Sequence, residues 1–249
     1  MIENLNAAGF VGVIILGRIG SCLMLLPGFG SSRIPMRIRS LVAVSISLAM
    51  FPLLYDQAME IFLKKTMPEQ ISLLIAEIFN GVLLGLLARL FMVGLQFSAT
   101  IVTNTIGLAP TPGAPLDDTE AVPPLVNFIS LCGTMLVFTT GMHLVLIKAL
   151  IESYDTIKLG TPFDIGWQID QILSGLYKTS SLGLRLSAPY IIYSIVVNLA
   201  IGYVNKFTPQ ISVYFVTTGL VAIGGLLILL NSINDWLSLF QQDFLSAFG

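Results

Sequence analysis

The sequence GLAPTPGAPLDDTEAVPP, residues 107–124, interrupts an otherwise apolar chain and decides how the fold is predicted. It contains five prolines, two glycines and three acidic residues. Proline fixes φ and lacks a backbone N–H, and the residue before it is pushed toward extended geometry, so a regular helix cannot run through the segment. Apolar segments at residues 71–109 and 125–151 flank it, and each is long enough to enter a bilayer. The segment is therefore predicted to be a non-helical loop between two membrane helices.

Two interpretations of this loop stay open. Irregular backbone at membrane depth is tolerated only where protein buries it or where it lines an aqueous cavity, which indicates a pore constriction or plug. A solvated connector is the alternative, because short loops rich in proline and glycine commonly join helices. The candidate plug residues are Gly107, Leu108, Pro110, Pro112, Gly113, Pro115, Leu116, Asp117 and Asp118.

The composition indicates an integral membrane protein. Of the 249 residues, 55% are hydrophobic and 10% are charged, whereas a soluble domain has roughly 25% charged residues. A formal net charge of −2 offers no basic surface for nucleic acid. Cys22 and Cys132 lie in apolar segments, where a thiol behaves as a small hydrophobic group. We expect no disulfide, no metal site and no cofactor.

About six long hydrophobic helices are predicted, at residues 7–26, 40–54, 71–109, 125–151, 186–204 and 211–230. Residues 40–54 are short for a full span, which needs about 20 residues, and a charged loop is expected at 55–70. Residues 71–109 are too long for one ordinary span. Three structures are compatible with this length: one long helix, a helix broken near Arg89, or a hairpin. The lack of a turn signal near the middle disfavours the hairpin. Residues 152–186 are predicted to be the longest polar region.

The basic residues predict the orientation of the helices. Residues 27–39 contain three arginines and no acid, so the positive-inside bias makes this segment cytoplasmic and the N-terminus external. The short turn at 205–210 makes the last two helices an antiparallel hairpin, and Lys206, its only charge, also makes it cytoplasmic. The residues expected to shape these two turns are Pro35, Arg37, Lys206, Pro209 and Gln210.

The C-terminal tail has the pattern of an amphipathic helix. From Ile233 onward, apolar residues recur at a spacing of three and four, namely Trp236, Leu237, Phe240, Phe244, Leu245 and Phe248. The tail lacks lysine and arginine, which favours packing on a protein partner over an anionic lipid surface.

Three ionisable residues lie inside the apolar segments. Arg18, Glu77 and Arg89 each cost a few kcal/mol if they face lipid, so they should face protein or water and find partners. Arg18 and Glu77 differ in depth by less than about 10 Å at about 1.5 Å per residue, so they can pair with each other or with a partner subunit. An ion pair that supports assembly is the favoured interpretation, and a proton path is the alternative. His143 is interpreted as a packed hydrogen-bonding residue.

Several motifs together resemble a known family. The first half contains Pro27, Ile34-Pro35-Met36-Arg37, Pro52, Glu77 and the GxxxG at residues 81–85. The second half contains Gly141-x-His143, Gly160 and the motif NLAxGxxNKxxPQI at residues 198–211. Their order and spacing resemble FliR-type (SctT-like) subunits, the export-gate proteins of bacterial flagellar and related type III secretion systems. The resemblance extends from residue 27 to the end of the sixth apolar segment.

The resemblance implies a fold, partners and a function. Residues 1–183 would correspond to a four-helix part similar to the multi-copy pore subunit (FliP-like), and 184–249 to a hairpin similar to the small two-helix subunit (FliQ-like), followed by the amphipathic tail. One copy would complete a helical hetero-oligomeric channel for unfolded export substrates, next to a FlhB-like substrate-specificity switch protein. Its location would be the bacterial inner membrane, in contact with lipid, at the base of a flagellum or an injectisome. Residues 107–124 fall where similar proteins insert a plug, although residues 107–119 contain no aromatic residue.

Other function classes have less support in the sequence. It contains no GxSxG, phosphate loop, HExxH or Cys pair at metal spacing, which disfavours an enzyme. A secondary transporter acting alone or as a homo-oligomer is the main alternative, although no inverted repeat relates the two halves. A scaffolding subunit that closes the channel without gating it is a third hypothesis.

Overall fold

The structure is a computed structural model that describes residues 2–30, 34–108, 123–161, 164–207 and 213–248. Within these ranges the chain forms seven α-helices and no strand. The helices are α1 (Ile2–Leu25), α2 (Met36–Lys64), α3 (Met67–Thr105), α4 (Pro124–Thr139), α5 (Met142–Thr156), α6 (Ile165–Phe207) and α7 (Val213–Phe248). Five helices are long and apolar enough to cross a membrane, and the bent pair α4–α5 would provide a sixth span. The predicted all-α membrane-associated fold is confirmed.

Two compact units divide the chain, and each combines separate parts of the sequence. The first unit contains Met1–Leu90, Val137–Leu176 and Phe248–Gly249. The second contains Phe91–Leu136 and Tyr177–Ala247. Long helices therefore contribute to both units, since α3 and α6 each continue from one into the other. The predicted division into residues 1–183 and 184–249 is a different one, because it rests on resemblance to two other subunits and not on compactness. It stays a prediction.

The predicted short second helix and the charged loop after it are wrong. Helix α2 has 29 residues and continues through Pro52 to Lys64, and its charged residues after Pro52 are exposed. Only Lys65 and Thr66 separate it from α3. The Glu69 carboxylate accepts hydrogen bonds from the backbone N–H of Thr66 (2.7 Å) and from its hydroxyl (2.9 Å). A Glu three residues after a Thr N-cap satisfies a free N–H of the first turn, so α3 starts directly after α2.

Helix α3 is continuous over 39 residues, which excludes the hairpin and the broken helix. At about 1.5 Å per residue it is about 58 Å long, well beyond the 30 Å hydrocarbon core of a bilayer.

The predicted single helix at residues 125–151 is wrong, because the chain bends by 67° between α4 and α5. Gly141 stands at the break with φ +74°, a left-handed conformation that glycine adopts without the strain of a β-carbon. The α-helix cannot continue through a left-handed residue, so α5 starts anew at Met142.

Residues 152–186, predicted to be the longest polar region, contain the end of α5 and the start of α6. Helix α6 begins at Ile165, where the Asp164 carboxylate accepts a hydrogen bond from the Trp167 N–H (3.2 Å), and it continues for 43 residues. Such an N-cap satisfies a first-turn donor that otherwise has no partner. Three glycines of this region, Gly166, Gly175 and Gly183, lie inside the helix, whereas Gly160 precedes it. Gly175, for example, faces Leu87, and a β-carbon there would meet that side chain at 2.8 Å.

Helices α6 and α7 form the predicted antiparallel hairpin. The Trp236 indole N–H donates to the Leu186 carbonyl (2.8 Å), while Tyr193, later on α6, donates to the Val221 carbonyl, earlier on α7 (3.0 Å). The tail is not a separate helix, because α7 continues without interruption to Phe248. Its amphipathic pattern is confirmed.

The apolar face of that tail packs within the second unit. The rings of Phe244 and Phe91 are 5.7 Å apart, and Trp236, Phe240 and Phe244 are buried. The prediction that a protein partner covers this face is therefore wrong, because other helices of the same chain cover it.

Glycines set the contact between α1 and α3 in the first unit. A β-carbon on Gly81 would clash with the Arg18 carbonyl, and one on Gly85 would meet the Cys22 carbonyl at 2.7 Å. The contacts advance together along both helices, so α1 and α3 are parallel. The GxxxG at residues 81–85 is thus a packing motif within the chain.

Candidate functional site

Arg18 is a fully buried charged residue of the first unit, and its guanidinium contacts two further helices. Its Nε donates to Glu77 Oε2 on α3 at 2.5 Å, and both side chains are at most 2% exposed. Its Nη1 donates to the carbonyl (3.1 Å) and the hydroxyl (3.3 Å) of Ser153, and its Nη2 donates to the Ile157 carbonyl (3.0 Å). One side chain of α1 therefore joins α3 to the end of α5.

The contacts with Ser153 and Ile157 make Arg18 a cap for α5. Helix α5 ends at Thr156, and the last carbonyls of a helix lack partners within it. The C-terminal end of a helix also carries partial negative charge, so a cation there is favourable. The Ser153 carbonyl also accepts from the Ile157 N–H (2.8 Å), so Arg18 adds a second donor there, supplies a donor to the Ile157 carbonyl and contributes the positive charge.

An aromatic ring completes the surroundings of Arg18. The guanidinium carbon lies 4.2 Å from the centroid of the Tyr154 ring, within the range of a cation–π contact. The Tyr154 hydroxyl donates to the Ile15 carbonyl of α1 (3.4 Å). The arrangement neutralises and hydrogen-bonds a desolvated charge, and it fixes α1, α3 and α5 relative to one another within the unit.

Arg89 is not part of this cluster. It lies on an exposed face of α3, and among the described residues it forms no ion pair. His143, the only histidine of the chain, has its Nδ1 3.3 Å from the Val137 carbonyl and its ring 5.2 Å from that of Phe138. It is a packed side chain at the start of α5.

The loop at residues 107–124 has well-defined ends. At its start, the Leu108 N–H donates to the Thr103 carbonyl (3.0 Å) and the Gly107 N–H to the Asn104 carbonyl (3.3 Å), while Gly107 has φ +76°. This is the Schellman pattern, which ends a helix and satisfies its last carbonyls. At its far end Pro124 is the first residue of α4, a position where the missing N–H is harmless.

Most candidate plug residues lie outside the described residues. Gly107 and Leu108 are described, and Leu108 is exposed. The others, which the structure does not describe, are Pro110, Pro112, Gly113, Pro115, Leu116, Asp117 and Asp118.

A polar cavity that sequence reasoning missed lies beside Gly107. It has a volume of about 110 Å³ and belongs to the second unit. Its polar lining consists of Asn104, Thr105, Ser194, Asn198, Thr217 and Thr218. The sequence analysis singled out Asn198 only as part of the family motif. The spacing of residues along the sequence does not predict that α3 lies against the α6–α7 hairpin.

The predicted cytoplasmic turns are described only in part. Pro35 is the N-cap of α2 in extended geometry, and Arg37 is exposed in the first turn. Lys206 is exposed in the last turn of α6. Pro209 and Gln210 lie outside the described residues.

Long apolar helices, a bent pair and a buried ion pair define a multi-pass α-helical membrane protein. The chain belongs to family 1 of the bacterial export proteins, whose family model matches residues 10–247. For a bacterial export protein, five or six apolar helices fit a multi-pass protein of the inner membrane.

Proteins named flagellar biosynthetic protein FliR are similar to this chain. The Caulobacter vibrioides protein is 28% identical over 227 residues, which cover 90% of this chain and 89% of that protein. The Aquifex aeolicus protein is 28% identical over 256 residues, covering 99% and 96%. The Escherichia coli K12 protein is 23% identical over 204 residues, covering 80% and 75%. The resemblance inferred from the motifs is therefore confirmed.

Proposed function

We propose that this chain is a FliR-type subunit of a flagellar or related type III export gate, present once in a hetero-oligomeric inner-membrane channel for unfolded proteins. The observation that carries the proposal is the family match over residues 10–247, which includes both units. The names of the similar proteins support the flagellar system in particular.

The partners are inferred to be a multi-copy FliP-like pore subunit, a FliQ-like two-helix subunit and a FlhB-like switch protein. An exposed face of α7 supports helical partners. Leu220, Ile223, Leu227 and Leu230 recur at a spacing of three and four, and each is more than half exposed. This is the spacing with which one helix packs along another. A partner helix in this position would cover a face that the chain leaves open.

Residues 107–124 are the proposed gating element. The fixed α3 end at Gly107 and the α4 start at Pro124 support this, because they hold the two ends of a proline-rich segment. Such a segment has few internal hydrogen bonds, so an unfolded substrate can displace it at modest free-energy cost. The buried Arg18–Glu77 pair is proposed to keep the first unit intact during assembly.

Native mass spectrometry on the purified chain, expressed alone and with its neighbouring membrane genes, tests the assembly. We expect a single copy within a larger hetero-oligomer. A stable monomer or homo-oligomer that gains no partners on co-expression would contradict the gate and favour a secondary transporter.

A deletion within the loop tests gating separately. Removal of residues 110–116 should leave the complex assembled but raise its ion conductance. A variant in which the same seven positions are replaced by glycine and serine keeps the length and serves as the control for shortening. Unchanged conductance with normal export in the deletion variant would refute the plug and leave a scaffolding role.

A further inference from the structure

A cavity of about 190 Å³ in the second unit is bordered by two basic side chains and by hydroxyl groups. Lys178, Ser181 and Arg185 line it from α6, and Asp243 and Ser246 line it from α7. Lys178 and Arg185 are seven residues apart, which is about two helical turns, so both lie on the same face of α6.

The charges around this cavity leave it cationic. Arg185 Nη1 lies 3.8 Å from Asp243 Oδ2, which is close enough for an ion pair but too long for a hydrogen bond. Within the described part of the chain, Lys178 forms no ion pair. Two cations and one carboxylate give a local charge of about +1, with open donors that suit a phosphate group.

An exposed apolar stripe on α6 starts at the cavity. From Arg185, the residues Pro189, Ile192, Val196 and Leu199 follow at alternating spacings of four and three, which places them on one face of the helix, and all are exposed. The distance along the helix from Arg185 to Leu199, the last residue of the stripe, is about 21 Å, somewhat more than half of the 30 Å hydrocarbon core. The stripe is therefore long enough for an acyl chain that fills one leaflet.

An aromatic residue marks the level of the cavity. Tyr177 lines it and is 76% exposed. Tyrosine is enriched at the height of the lipid headgroups, where its ring and its hydroxyl face different environments. Its position next to Lys178 agrees with a headgroup at the cavity and acyl chains along the stripe.

We propose that this cavity binds the headgroup of an anionic phospholipid, with an acyl chain along the exposed stripe of α6. Lys178 and Arg185 bind the phosphate, and Ser181 and Ser246 bind its oxygens or the glycerol hydroxyls of the headgroup. The argument uses neither residues 107–124 nor a partner subunit, so the site does not depend on the proposed gate.

Native mass spectrometry of the full chain in detergent with equimolar phosphatidylglycerol and phosphatidylcholine tests the proposal. Wild type should retain phosphatidylglycerol preferentially, and Lys178→Gln and Arg185→Gln should each weaken its binding about fivefold, since each cation near an anionic lipid contributes about one kcal/mol. Lys148→Gln, which removes an exposed cation of the first unit, is the matched control. Unchanged preference in the variant that combines Lys178→Gln with Arg185→Gln, or an equal loss of both lipids, would overturn the proposal.

Asp243→Asn provides a second measurement with the opposite sign. Its carboxylate opposes an anion in the cavity, so its removal should strengthen phosphatidylglycerol binding. This variant keeps both cations and decides the question even if the double variant fails to fold, because weaker or unchanged binding would contradict the site. Displacement of the lipid by excess inorganic phosphate would assign the cavity to a soluble anion instead.

Discussion

Replacement of Glu77 by glutamine should destabilise the first unit strongly, although the side chain keeps its size. The change removes the charge that balances Arg18, which is fully buried. Loss of one partner of a buried ion pair costs about 3–5 kcal/mol, because the remaining charge stays desolvated. Arg18 keeps its bonds to Ser153 and Ile157 and its contact with Tyr154, so we expect the lower end, about 3 kcal/mol.

Unfolding of the purified protein by SDS titration in mixed micelles measures this loss. The signal is the fluorescence of Trp167 and Trp236, the two tryptophans of the chain. Glu60→Gln is the matched control, because it makes the same chemical change in an exposed pair with Lys64, and it should leave the free energy of unfolding almost unchanged.

A double variant decides whether the two charges act as a pair. Arg18→Met with Glu77→Gln should cost less than the sum of the single variants by about 1–3 kcal/mol, because neither charge is left alone. Additive losses, or a Glu77→Gln loss no larger than that of Glu60→Gln, would refute the reasoning.

Substitutions at four further positions test the packing and one helix end. Gly81→Ala should destabilise the protein, because its methyl group would clash with the Arg18 carbonyl. Gly9→Ala should stabilise it by about 0.5–1 kcal/mol, since open space surrounds that position. Thermal unfolding in detergent measures both changes. Gly107→Ala should cost about 1 kcal/mol through its left-handed φ, whereas Gly107→Asn should cost less, and equal losses in the SDS titration would contradict the Schellman end. Trp236→Phe should cost about 1 kcal/mol by the same titration, because it removes an indole N–H bond to a backbone carbonyl of α6, and no loss would show that bond to be dispensable.

The helices, their hairpin and the ion pair could be predicted because each follows from a strong physical rule. Apolar segments of sufficient length indicate membrane helices, and the short turn at residues 205–210 indicates antiparallel neighbours. A charge inside such a segment has to find a partner, which led from Arg18 to Glu77. The depth estimate was sufficient because α1 and α3 are parallel and in contact.

The ends of the helices, and the contacts of Arg18 with the end of α5, could be found only in the structure. The Thr66 and Glu69 signal was readable as a capping box, but the charged residues around it suggested a loop. Ser153 and Ile157 accept from Arg18 because α5 ends there, and that end lies after a bend at Gly141 that spacing does not reveal. Arg89 was expected to find a partner for the same reason as Arg18, yet it lies on an exposed face.

The glycine contact and the ion pair depend on each other. Glu77 lies one turn before Gly81 on the same face of α3, and side chains on a helix lean toward its N-terminus. Because α1 and α3 are parallel, the Arg18 side chain leans in the same direction along the pair and meets Glu77, while its own carbonyl lies against Gly81. A larger residue at position 81 would separate the backbones at the height of the ion pair. The close approach that the glycine permits is therefore what brings a short carboxylate within reach of a buried guanidinium.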